Sequence, residues 1–154
     1  MMNKRRETTG DKMREIKFRI WDETQKEMLR PDDDNLLYPV VHIDGVAAIY
    51  INEDGGKGGL WEHEIRNDHK LIPMQFTGLR DKNNKEIYEG DIVTMPDNTI
   101  SGENIIAEVV FKNCAFGFYH GRFYTFAYEW DDETDTDCIE VIGNIYENLE
   151  LLKY

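Results

Sequence analysis

The sequence predicts a mainly β chain, with an α+β arrangement kept as the variant, forming an all-β sheet or a small barrel. Short β-branched and aromatic runs recur along its length. Polar clusters rich in Gly, Pro, Asn and Asp separate those runs at intervals of roughly 8–12 residues. No apolar pattern of helical period is sustained, and no internal repeat of roughly 20–50 residues is present.

The elements follow in order. Residues 1–12 are polar and aperiodic, and are expected to be a disordered extension. In "IKFRIWD" the apolar Ile16, Phe18 and Ile20 alternate with Lys17, Arg19 and Trp21, which predicts a strand with one buried face. "DETQKEM" is a polar turn that Asp22 starts by accepting from a nearby backbone N–H. Met28 and Leu29 then pair back. Residues 30–39, with Pro31, Pro39 and three consecutive Asp, are expected as a loop. "VVHIDGVAAIYIN" reads as two strands about Asp44-Gly45. Residues 53–59 hold four glycines and form a flexible loop. Residues 60–70 receive no state.

The second half is more regular. "LIPMQFTGL" ends in a strand, "RDKNNKE" is a turn, and "IYEGDIVTM" restarts β structure. In that stretch Phe76 and Leu79 lead into the turn at Asp81–Asn84, where Asn83 and Asn84 tolerate a left-handed backbone. Ile87 points inward, Gly90 permits a tight bend and Asp91 binds turn N–H groups. Residues 97–104 are a turn. Strands follow over 105–113, 115–120 and 122–130, then an acidic loop over 131–137, a last strand over 139–148, and a closing helical turn in "LELLKY".

A chain of 154 residues suits one domain, or one small domain with an appendage. With 40% hydrophobic residues the core is modest, and 12% aromatic content separates the chain from disordered acidic polypeptides. Asp and Glu number 31 against 18 Lys and Arg, a net charge of -13. That field repels phosphate backbones, so nucleic-acid binding is not expected without a segregated basic patch. Cys114 and Cys138 form no CxxC and no disulfide scaffold. No apolar signal segment or membrane-length apolar run is present. A cytosolic protein with free thiols is the expectation.

Motifs that carry chemistry are sparse. The acidic run Asp131, Asp132, Glu133, Asp135 and Asp137, with Glu140, lacks the glycine an EF-hand loop needs and reads as a solvated loop. Asp32–Asp34 reads the same way. His42, His63, His69 and His120 fit no zinc spacing. Ser101 has no GxSxG context, and Cys114, ahead of "AFGF", reads as a small buried hydrophobe. "GGKGG" lacks the ending and setting of a phosphate loop. Phe116, Phe118, Phe123, Tyr124, Phe126, Tyr128 and Trp130 crowd into one stretch where only His120 and Arg122 interleave, so core and cross-strand packing is favoured over base stacking.

Three blocks, "MREIKFRIWDETQKEM" (13–28), "MQFTGLRDKNNKEIYEGDIV" (74–93) and "VIGNIYENLELL" (141–152), resemble the YopX-like family of phage and prophage proteins. The motif positions are Trp21 and Asp22, then Phe76, Thr77, Gly78, Leu79, Asp81, Tyr88, Gly90 and Asp91, then Gly143 and Asn144. The resemblance implies a domain over 13–154, with a β-rich part to about residue 72 and an SH3-like barrel from about residue 73. It carries over no catalytic, cofactor or metal residues, so these positions are expected to be structural. The expected role is a phage-encoded, non-enzymatic interaction or regulatory module in the host bacterial cytoplasm, with protein partners that include a second copy of itself. Two other roles are open. One is a nucleic-acid regulator using Lys70, Arg80, Lys82 and Lys85. The other is an acidic DNA mimic that inhibits a host enzyme.

Overall fold

The computed structural model describes residues 15–30, 37–41, 47–51, 70–96, 104–121, 123–126 and 138–152. Expectations for residues 1–12, Asp32–Asp34, His42, Asp44-Gly45, His63, His69, Ser101, Arg122, Tyr128, Trp130 and the 53–59 and 131–137 loops lie outside them. The described elements are antiparallel strands closed by one 3-10 turn: β1 (Phe18–Asp22), β2 (Glu27–Leu29), β3 (Leu37–Val41), β4 (Ala47–Ile51), β5 (Leu71–Arg80), β6 (Glu86–Tyr88), β7 (Asp91–Pro96), β8 (Asn104–Lys112), β9 (Ala115–His120), β10 (Phe123–Phe126), β11 (Glu140–Asn144) and the turn Leu149–Leu152. The mainly β expectation therefore holds.

The strands form a four-stranded sheet ordered β2-β1-β5-β6, a five-stranded sheet ordered β10-β9-β8-β7-β11, and the pair β3-β4. Both larger sheets are curled. β5 crosses the expected boundary near residue 72 and pairs with β1 from Leu71 to Gln75. β3 starts at Leu37 and runs through Pro39, inside the stretch expected to be loop. Proline is tolerated there because the described partner, β4, lies on one side only.

β1 departs from the one-sided strand that its alternation suggested. Ile16 is 73% exposed, whereas Arg19, Ile20, Trp21 and Asp22 are all buried. The alternation misleads because both faces of β1 are covered, as the burial of the adjacent and oppositely directed Ile20 and Trp21 shows.

β5 serves two cores. Met74 and Phe76 join Trp21 and Tyr88 in one, with Met28, Ile72 and Tyr146 packed against it. Leu79 packs on the other, formed by Ile87, Val93, Met95, Ala107, Val109, Phe116, Phe118, Ile139 and Val141. Leu79 lies an odd number of residues from Met74 and Phe76, so strand alternation turns it to the other face, and a bulge interrupts the register between Phe76 and Arg80. Gly78 sits in it at φ 95, a conformation that a side chain would strain even though a Cβ there would touch nothing. β6 completes the link, with Ile87 in the second core and the adjacent Tyr88 in the first. Burying Ile87 fully contributes about 2 kcal/mol.

β8 and β9 join through Asn113 and Cys114 alone, both at positive φ, as a type I′ hairpin turn requires. Cys114 is therefore exposed, not the buried hydrophobe expected from the strand that follows it. Cys138 is exposed as well, and both thiols are free. Among the described residues no helix is long and apolar enough to cross a membrane.

Candidate functional site

Every buried polar residue described here except Arg19 closes a turn. Those residues are Asp22, Asp81, Asp91 and Asn144, and all four are motif positions. Asp22 Oδ1 accepts from the N–H groups of Thr24 (2.9 Å) and Gln25 (3.0 Å). Asp81 Oδ1 accepts from Asn83 N (2.8 Å) and Lys85 N (2.9 Å), while its Oδ2 reaches Val141 N at 3.0 Å. One carboxylate thus closes the β5–β6 turn and ties it to β11. Asn84, in that turn, adopts φ 63, as its residue type allows. Asn144 Oδ1 accepts from Tyr146 N and Glu147 N, both at 3.0 Å. A Cβ on Gly143 would meet the Asn148 side chain at 2.6 Å, so a glycine lets this turn fold flat. Thr77 Oγ1 donates to Ile87 O at 2.8 Å and accepts from Leu79 N at 3.1 Å, which fastens the bulge.

Asp91 joins the two sheets. Its Oδ2 accepts from Tyr88 N at 2.8 Å, and its Oδ1 accepts from Arg19 Nη2 at 2.5 Å, 72 positions away in sequence. The Arg19 guanidinium lies 4.7 Å from the centroid of the Tyr88 ring, a favourable cation–π distance. Its Nε has no hydrogen-bond partner among the described residues. Burial pushes the Asp91 carboxyl above the usual range, against the pull of Arg19 and the Tyr88 N–H.

Glu86, five positions earlier, accepts from Lys17 Nζ (2.8 Å), Arg80 Nη2 (2.7 Å) and the Tyr88 hydroxyl (2.6 Å). Burial alone would raise its carboxyl, but those donors outweigh burial and hold it below the usual range. Trp21 stacks on Tyr146 with centroids 5.3 Å apart and donates Nε1–H to Glu23.

The Glu89–Gly90 peptide is a three-way junction. Glu89 N donates to Gln75 O of β5, Gly90 N donates to Val109 O of β8, and Gly90 O accepts from Ile145 N. Gly90 has φ 77, and a Cβ there would stand 2.9 Å from Met74 Cε. Here the backbone conformation requires glycine, and the end of the Met74 side chain would have to shift to admit a Cβ. Glu89 precedes Gly90 and Glu108 precedes Val109 at this junction, and both side chains are half-buried. Burial raises both carboxyls, and Glu89 raises Glu108 further by repulsion. The Tyr146 hydroxyl is raised by burial and then by Glu89, Glu23 and Glu108.

Motif positions and surface groups thus separate. Trp21, Phe76, Leu79 and Tyr88 are core, and the polar motif residues are turn closures. Within the basic group, Arg80 is bound to Glu86 and Lys82 to Glu140 at 2.6 Å. In the aromatic run Phe116 and Phe118 are buried, whereas Phe123 is 75% exposed and Phe111 beside the run is 51% exposed. No group of three or more His, Cys, Asp or Glu is placed for a metal ion among the described residues. The Arg19–Asp91 pair escaped sequence reasoning. The one available signal was a charged residue, Arg19, amid the apolar residues of β1.

A family model described as "YopX protein" matches residues 17–153. The fold is similar to the crystal structure of protein EF1440 from Enterococcus faecalis, at 29% identity and a TM-score of 0.57, covering 90% of this chain and 99% of that one. It is also similar to the crystal structure of protein yopX from Bacillus subtilis, at 22% identity and a TM-score of 0.55, covering 92% of this chain and 100% of that one. No curated protein sequence matches the chain.

Proposed function

The chain belongs to the YopX protein family, and from that premise we propose that it is a non-enzymatic protein-interaction or regulatory module, encoded by a phage or prophage and acting in the host bacterial cytoplasm. One observation carries this reading: the face of the five-stranded sheet that builds the apolar core extends past that core. Phe111 pairs with buried Phe116, and Phe123 pairs with His120 on the same face, yet Phe111 and Phe123 are both largely exposed. Exposed aromatic side chains beside a core suit a protein-facing patch. The motif polar groups, being committed to turns, are not offered to a substrate. The pairing of Arg80 and Lys82 with carboxylates and the net charge of -13 weigh against a phosphate-binding surface.

Light scattering on the full chain, with cross-linking in host lysate, tests the proposal against the double variant Phe111→Asp, Phe123→Asp. The expected result is an oligomer or a specific cross-linked partner for the parent chain. The variant should lose it while its melting temperature falls by no more than about 2–4 °C. A monomeric parent that captures nothing overturns the reading.

A further inference from the structure

We propose that residues 144–152 form a strap that undocks and redocks as one piece while both sheets stay folded, covering and uncovering Trp21. The hydrogen bonds give the strap internal coherence. Asn144 Oδ1 accepts from the N–H groups of Tyr146 and Glu147, and Asn144 Nδ2 donates to Glu147 Oε2. Asn148 N donates to Asn144 O at 2.9 Å, and Leu151 N donates to Asn148 O at 3.0 Å. All of these bonds lie within the segment, so they travel with it when it moves.

Its ties to the rest of the molecule are few. Beyond the β7–β11 ladder, Ile145 N donates to Gly90 O at 2.9 Å, and that is the one hydrogen bond to another element among the described residues. The Tyr146 ring stacks on Trp21 of β1, with centroids 5.3 Å apart and planes 14° apart. The 3-10 turn runs near β8 yet buries none of its residues, and Leu149 is 63% exposed. Segments with few long-range contacts open at lower free energy than the sheets beside them.

A hinge is in place. The register of β11 on β7 shifts between Val141 and Gly143, so the ladder is interrupted just before Asn144. The junction between the sheets does not depend on the strap. When Ile145 leaves Gly90 O, Gly90 N keeps its bond to Val109 O, Glu89 N keeps its bond to Gln75 O, and Arg19 stays on Asp91. Trp21 is 2% exposed with the Tyr146 ring in place. Opening therefore bares an aromatic ring face that the closed chain hides.

Residue-resolved amide exchange on the full chain tests the strap. Ile145 is the reporter, because its acceptor lies outside the strap. Its protection factor should be at least about tenfold below those of Val93 and Val109, and no higher than those of Tyr146 and Glu147. Ile87→Val weakens the apolar core without touching the strap. It should lower the factors of Val93 and Val109 about fivefold and leave Ile145 unchanged. Tyr146→Ala should lower the Ile145 factor about fivefold. An Ile145 factor that falls with the sheet in Ile87→Val means that the strap opens only when the whole chain unfolds. An Ile145 factor above those of Tyr146 and Glu147 means fraying from the chain end. Either result overturns the proposal, as does an Ile145 factor that Tyr146→Ala leaves unchanged or a Tyr146→Ala chain that does not fold.

Discussion

The core on the five-stranded sheet is apolar throughout, from Val93 and Val109 to Phe118 and Ile139. The core on the four-stranded sheet has a different composition. Its aromatic and methionine residues lie beside an arginine and an aspartate with almost no solvent contact. The first core is held by area removed from water, a force without direction that tolerates substitutions conserving shape. The second depends on partners meeting at set angles, since a charge left alone there costs several kcal/mol. The difference teaches where the fold is specified: the apolar core supplies bulk stability, and the polar junction fixes how the β1 side of the molecule meets β7.

Separating the ion pair would break this contrast most forcefully. Arg19→Met leaves the Asp91 carboxylate buried without its cation and should cost about 3–5 kcal/mol in urea unfolding. Arg19→Met with Asp91→Asn keeps an acceptor for Tyr88 N and should recover most of that loss. By comparison Ile87→Leu, in the apolar core, should cost less than about 1.5 kcal/mol. Equal losses for Arg19→Met and Ile87→Leu would erase the distinction between the cores.

A smaller effect is expected at Asp81. Its replacement by Ala strands the N–H groups of Asn83, Lys85 and Val141, at about 1–3 kcal/mol. Amide exchange should quicken at Val141 together with the turn, since one side chain holds both. Protection kept at Val141 would show that β11 docks without it.

The smallest effect sharpens the electrostatics. Glu86 sits lower in the folded chain than in the unfolded one, so its contribution is present above the ordinary carboxylate value and is lost as pH falls through the folded-state titration. Glu86→Gln should therefore destabilise by less than about 1 kcal/mol near neutrality and by nothing measurable in acid. A Glu86→Gln chain that gains stability near neutrality would mean that the donors around Glu86 do not govern it.

Much of the architecture was legible in the sequence because it is local. Asp81, Asn84 and Gly90 announce a turn by residue type, and the structure gives each the role its chemistry suggests. The resemblance found the motif positions but not their tasks, since Asp91 meets an arginine 72 residues away. The alternation in β1 suggested a solvated face because a sequence does not reveal which strands are covered on both faces. Cys114 was misplaced for a local reason. The strand after it drew the reading inward, although "KNCA" sets Asn and one more residue between two alternating runs, the signature of a two-residue turn. The Gly90 N–Val109 O bond depends on how β8 settles against the β6–β7 turn, which no spacing encodes.

The pairing of β1 with β5 has a consequence for synthesis. Joining Asp22 to Leu71 closes a loop of about 50 residues, whereas β8 and β9 meet across two. The longer closure costs about 2–3 kcal/mol more chain entropy before any contact returns it. On the ribosome β1 precedes the other described strands, yet its main neighbour emerges some 50 residues later, and Asp91, the counter-ion of Arg19, later still. Until then β1 pairs with β2, which follows it across a short turn, while the edge that β5 takes stays open.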